Sequence, residues 1–232
     1  EKNLPFSERP AGAGILAAPD WKGRQQGSVA LEQALPVTPE GAYRLAEHLS
    51  EAVVGFFPYE GGWELCSAWA ETPYYLKGEE AGPNGEGILQ ERWKCGADKW
   101  KVVARTRQKA GGELRDGLWL HPRDNGIVQV TFPQVPMGHH LEGYFGLTDL
   151  ASGKNDFPSY LEVWVGGMPV LRRQIDGKMK GWAPFSIDTS AWSGQPADLT
   201  LRVETDKQRW RHLVLDAMTL NGPTSKVAES SP

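Results

Sequence analysis

The sequence predicts a mainly β protein, an antiparallel β-sandwich preceded by one short helix and a further β-rich region. Three observations lead there. Short stretches that alternate apolar and polar recur from about residue 114 to the C-terminal tail. Gly, Pro, Asn and Asp separate them at intervals of roughly ten residues, the spacing of sandwich strands. No strand-then-helix alternation supports a parallel sheet.

The elements follow in order. Residues 1–20 are rich in Pro, Gly and Ala and read as an arm or linker. Thr38 is an N-cap, Pro39 suits the first helical position, and Glu40 suits the positive end of the dipole. Ala42, Leu45, Ala46, Leu49 and Val53 share one face at helical spacing, so a helix is expected over about 39–53, ended by Gly55. Residues 63–69 alternate like a strand, and residues 77–87 are a Gly-rich loop. Residues 101–105 are a strand, and Gly111-Gly112 is a turn and a candidate boundary.

Residues 21–112 thus form an N-terminal β-rich region and 113–221 the sandwich, with 222–232 a polar tail. Strands are expected at 127–132, 141–147, 160–165, 170–175, 185–188, 199–204 and 213–218. Leu161, Val163 and Val165 face one way, and Gly166-Gly167 makes a two-residue hairpin turn. The aromatic cluster Phe56, Phe57, Tyr59, Trp63, Trp69, Tyr74 and Tyr75 either adds strands to the same sandwich or builds a second, smaller one.

Composition bounds the function. The 232 residues are 40% hydrophobic and 23% charged, which suits a folded core. A net charge of −4 gives no electrostatic footprint for nucleic acid. No apolar run approaches the roughly 20 residues of a membrane span. The chain starts at Glu1 without Met, consistent with a removed export signal. Cys66 and Cys95 fit no zinc or haem spacing; in an exported protein they pair as a disulfide, otherwise they are buried thiols.

Four segments carry a resemblance. Gly117-Leu118-Trp119-Leu120-His121-Pro122 is similar to the GLGVHA strand of NPCBM domains, and Tyr144-Phe145-Gly146-Leu147-Thr148-Asp149 to their GLDD strand. Leu161-Glu162-Val163-Trp164-Val165-Gly166-Gly167 resembles their FEVWxDG hairpin. Asp198-Leu199-Thr200-Leu201-Arg202-Val203, followed by Asp216-Ala217, resembles the closing LRLVV and DA pair. The resemblance covers about 114–220. It implies a galactose-binding-like jelly roll that binds sugars beside glycosidase domains, with a structural calcium an option. The family's acidic and aromatic residues before the last Asp-Ala are Leu213-Val214-Leu215 here, and its Asn/Asp-rich loop is Gln208-Arg209-Trp210-Arg211-His212.

No nucleophile elbow, P-loop, zincin or dinucleotide motif occurs, and no carboxylate pair stands out, so no catalytic residue is expected. Adjacent His139 and His140 point to opposite faces of an extended chain and make a poor metal pair. The candidate ligand site is Arg209, Trp210, Arg211 and His212, because sugar recognition needs an aromatic face beside bidentate polar groups. Trp182, Trp192, Asn155, Asp156 and His121 are further candidates in neighbouring turns, Trp192 alternatively plugging the core below its turn. The expected protein is secreted, periplasmic or on the cell surface, and binds a glycan. The alternatives are a protein-interaction subunit of a cell-surface assembly, which would dock a cell-surface protein, and, after that, a glycoside-processing enzyme.

Overall fold

A computed structural model describes residues 42–72, 74–75, 88–96, 102–154, 156–205 and 209–220. The expected arm, the Gly-rich loop at 77–87 and the tail lie outside the described residues. Chain contacts divide the protein after Pro36, and all described residues belong to the second unit, Val37–Pro232.

The strands in chain order are β1 Tyr43–Arg44, β2 Val53–Pro58, β3 Glu64–Leu65, β4 Ala68–Ala70, β5 Tyr74–Tyr75, β6 Ile88–Lys94, β7 Val102–Ala110 and β8 Glu113–Leu120. They continue as β9 Gly126–Pro136, β10 His140–Leu147, β11 Ser159–Val165, β12 Met168–Ile175, β13 Trp182–Asp188, β14 Pro196–Thr205 and β15 Leu213–Leu220. One sheet runs β13-β10-β15-β8-β7-β6-β4, with β1 on β15 and β5 on β6; the other runs β12-β11-β14-β9-β2-β3. Every pairing among them is antiparallel. From β8 onward the chain passes repeatedly between the sheets, the winding of a jelly-roll β-sandwich.

Period-two alternation explains the core. Leu161, Val163 and Val165 of β11, Leu199, Leu201 and Val203 of β14, and Val128, Val130 and Phe132 of β9 all turn inward and are buried. Leu141, Phe145, Leu213 and Leu215 meet them from the other sheet. Gly166 and Gly167 both take positive φ, as the expected β11–β12 hairpin turn requires. β12 is an edge strand, and its register on β11 shifts between Val163 and Trp164, which stands opposite Pro169.

Strands before residue 113 join the same two sheets: β2 pairs with β9, and β7 with β8. The expected helix over 39–53 is corrected. Residues 39–41 lie outside the described residues, Leu45–Glu51 is a 3-10 helix with non-helical φ/ψ at His48, and both flanks are strand. Tyr43 and Arg44 pair with Thr219 and Met218, and Val53 with Thr131, so sheet pairing claims residues that the apolar spacing assigned to a helix. The β-branched Val53-Val54 favours that outcome. The expected strand at 63–69 splits into β3 and β4, one in each sheet. At the corner between them Cys66 forms a disulfide with Cys95, just past β6.

Candidate functional site

The described residues of four connections gather at one end of the sandwich: 121–125, 148–154 with 156–158, 176–181 and 209–212. Thr148 donates its amide to the His212 carbonyl at 3.1 Å, and Gly153 to that of Gly177 at 2.8 Å. The Ser152 hydroxyl donates to the Met179 carbonyl at 2.6 Å, and Lys178 pairs with Asp156 at 3.1 Å. Asp149 receives the Gly111 and Gly112 amides, tying the β7–β8 hairpin tip to the same end.

Beneath these loops lies a column of rings. Trp119 stacks on His121 at 5.1 Å and meets His212 edge-on at 5.6 Å; the two imidazoles are 5.6 Å apart. Trp210 lies 6.0 Å from His212. Trp119 is fully buried, and its indole Nε1 has no hydrogen-bond partner among the described residues.

The candidates from the sequence divide by burial. His121, Arg211 and His212 are buried, Arg211 completely. Burial pushes the Arg211 guanidinium below its ordinary range, and the carboxylates of Asp176 and Asp156 pull it back. Arg209 is exposed and Trp210 half-buried, so among the described residues of that loop these two reach the surface. Trp210 holds φ at 59°, a left-handed conformation that a bulky residue rarely adopts. Asp156 is exposed at the same end, beside Phe157 at 46% exposure. Asn155 lies outside the described residues.

The two remaining tryptophans differ in place. Trp182 opens β13, donates its Nε1 to the Glu113 carbonyl at 2.9 Å and packs against Leu89, Ala104, Trp119 and Val214. Trp192 closes a 3-10 turn at the opposite end, packed on the core beside Gly166. Trp192 is therefore separated from Trp210 by the length of the strands, whereas Trp182 stands at the loop end, at the start of β13. Sequence reasoning missed Lys178 and had Thr148 and Asp149 only as the end of a strand motif, since their roles depend on loops distant in sequence. Trp119 was in view only as part of a strand motif.

Among the described residues, no three His, Cys, Asp or Glu side chains converge to hold a metal ion. None of the helices described is long and apolar enough to cross a membrane.

No family model matches the chain, and no curated protein matches it. Similar solved structures include the CBM51 module of a Clostridium perfringens GH95 protein in complex with methyl-galactose. It is 14% identical, with 64% of this chain and 100% of that chain covered and a TM-score of 0.39. The CBM51-2 and INT domains of Clostridium perfringens ZmpB are 11% identical; the match covers 50% of this chain and 26% of that one, at a TM-score of 0.38. The carbohydrate-binding module CBM36 in complex with calcium and xylotriose is 13% identical, with 50% and 89% covered and a TM-score of 0.30.

Proposed function

We propose that the chain is a non-catalytic glycan-binding module of an exported protein, of the NPCBM-like kind its sequence resembles, acting at the loop end through Arg209 and Trp210. The observation that carries this is the left-handed backbone of Trp210. Such a conformation costs on the order of 1–3 kcal/mol and persists where the surroundings impose it, which is typical of binding sites. Here it keeps an indole at the surface on a base of His212, His121 and Trp119. An aromatic plane beside an exposed guanidinium suits a sugar, whose C–H face stacks and whose hydroxyls accept two N–H groups at once. The disulfide supports an oxidising compartment.

A glycan array followed by calorimetric titration tests the reading. Wild type binds at least one glycan, and both Trp210→Ala and Trp210→Gly weaken it tenfold or more. Gly relieves the backbone strain, so its Tm stays at or above that of Trp210→Ala. Unchanged affinity in both variants removes the site.

A protein-docking reading is favoured by Phe157, a large apolar side chain 46% exposed at the same end. In that case Phe157→Ser abolishes capture of a cell-surface protein and leaves glycan titrations unaltered.

A further inference from the structure

The outer face of the six-stranded sheet carries an ordered polar row. Register places Arg172 opposite Glu162, Glu162 opposite Arg202, Arg202 opposite Gln129, and Gln129 opposite Gly55. The row crosses β12, β11, β14, β9 and β2, a span of about 19 Å at the usual strand spacing. At its far end the Trp63 ring lies over Gly55, in the space a Cβ would take, and packs on Phe57 at 3.6 Å.

Aromatic side chains flank the row. Tyr160 and Trp164 stand two residues before and after Glu162 and so share its face. Trp164 Nε1 donates to Glu162 Oε2 at 3.0 Å, and the Arg202 guanidinium lies 5.2 Å from the Trp164 ring. The Arg172 guanidinium lies 4.9 Å from the Tyr160 ring. Beside them the hydroxyls of Thr131 and Thr200 are 2.9 Å apart, and Gln129 donates to Thr131 at 3.3 Å.

The middle of this row is charged and almost out of water. Glu162 and Arg202 are each 6% exposed. They approach only to 4.0 Å, and Arg202 Nε is buried with no hydrogen-bond partner among the described residues. Burial also holds the Arg202 guanidinium below its ordinary range. A buried donor left unused is destabilising, more so when charged, and apolar residues would serve stability better. The rim formed by Tyr160, Trp164, Gln129 and Thr200 is half-buried and reachable.

We infer that this face is a second binding site, separate from the loop end, for a neutral hydroxyl-rich chain such as an oligosaccharide. Arg172 and Arg202 balance Glu162 and Glu204 along the face, so a charged ligand gains little net attraction. Hydroxyls both donate and accept, and so use both signs. Tyr160, Trp164 and Trp63 supply planes for C–H stacking. A peptide strand would instead add at a sheet edge through unpaired backbone groups, and this row lies where those groups are already paired. The inference shares its ligand class with the proposed function but rests on other residues.

Affinity electrophoresis in gels containing arabinoxylan, galactomannan or mixed-linkage β-glucan tests it. At least one of these polysaccharides retards wild type. Trp164→Ala, and the milder Gln129→Ala, weaken that interaction tenfold and threefold or more, while Trp210→Ala leaves it intact. Near-ultraviolet circular dichroism shows that each variant is folded; if Trp164→Ala is not, Gln129→Ala decides. No retardation by any of the three, or equal retardation of wild type and the folded sheet-face variants, overturns the inference. Glycan-array binding that is lost only in Trp210→Ala would still uphold the loop-end function. Loss confined to the sheet-face variants, with Trp210→Ala normal on both array and gel, would remove the loop-end site instead.

Discussion

Asp149 grips the tip of the β7–β8 hairpin through both oxygens of its carboxylate. Oδ1 accepts the Gly111 amide at 2.6 Å, and Oδ2 accepts the Gly112 amide at 3.0 Å. The hairpin tip also lies against Gly181, whose Cα is 2.7 Å from where a Gly111 Cβ would sit. Asp149→Ala is expected to lower stability by about 1–2 kcal/mol, the loss of two charge-assisted bonds from a partly solvated turn. Urea unfolding measures it. Hydrogen exchange should show faster exchange at Gly111 and Gly112 and no change in β14. A stability equal to wild type would mean the turn holds itself.

The Cys66–Cys95 disulfide closes a loop of 29 residues at the corner where the chain leaves one sheet for the other. Chain-entropy reasoning assigns such a loop about 3–4 kcal/mol. Reduction, or the double substitution Cys66→Ser with Cys95→Ser, is expected to lower the urea midpoint accordingly while leaving the β11–β14 core intact. Thermal melts with and without reductant check this, and coincident melts would contradict it.

Two neighbouring carboxylates respond oppositely to acid. The hydrogen bond from Arg107 holds the Asp116 carboxyl below its ordinary value of 3.8. Its contribution is present above that value and is lost as pH falls through the depressed one. Burial pushes the Asp216 carboxyl above 3.8, with Arg44 and Arg115 opposing. Its protonated form is the one folding favours, so that contribution is present below 3.8 and is lost as pH rises through the raised value. Asp116→Asn is therefore expected to cost more stability at pH 7 than at pH 3. Asp216→Asn is expected to gain stability at pH 7 relative to wild type and lose that advantage at pH 3. Urea midpoints at the two pH values decide both signs.

Much of the sandwich was legible because strand alternation is local. Leu161, Val163 and Val165 announce a buried face by their spacing alone, and all three are fully buried. The segment 39–53 misled for the opposite reason. Its apolar spacing is helical, yet Tyr43 and Val53 are captured by Thr219 and Thr131, partners far along the chain. At the loop end, the residue types Arg209 to His212 were visible, but their orientation was not. Arg211 and His212 are buried by loops around residues 121, 148 and 176, and only the assembled end leaves Arg209 and Trp210 outside. The sheet-face row was invisible in sequence, since Glu162, Arg202 and Gln129 meet only through strand register.

The irregular edge strand β12 has a consequence for behaviour at high concentration. A bare sheet edge invites the strand of another molecule to join it. Here Pro169 has no N–H to offer, the register break beside Trp164 spoils a regular template, and Arg172-Arg173 bring like charges together when two such edges meet. At the sheet's other border β3 is only two residues long. The six-stranded sheet thus ends on both sides in strands that resist pairing, and growth into fibres through that sheet's edges is disfavoured.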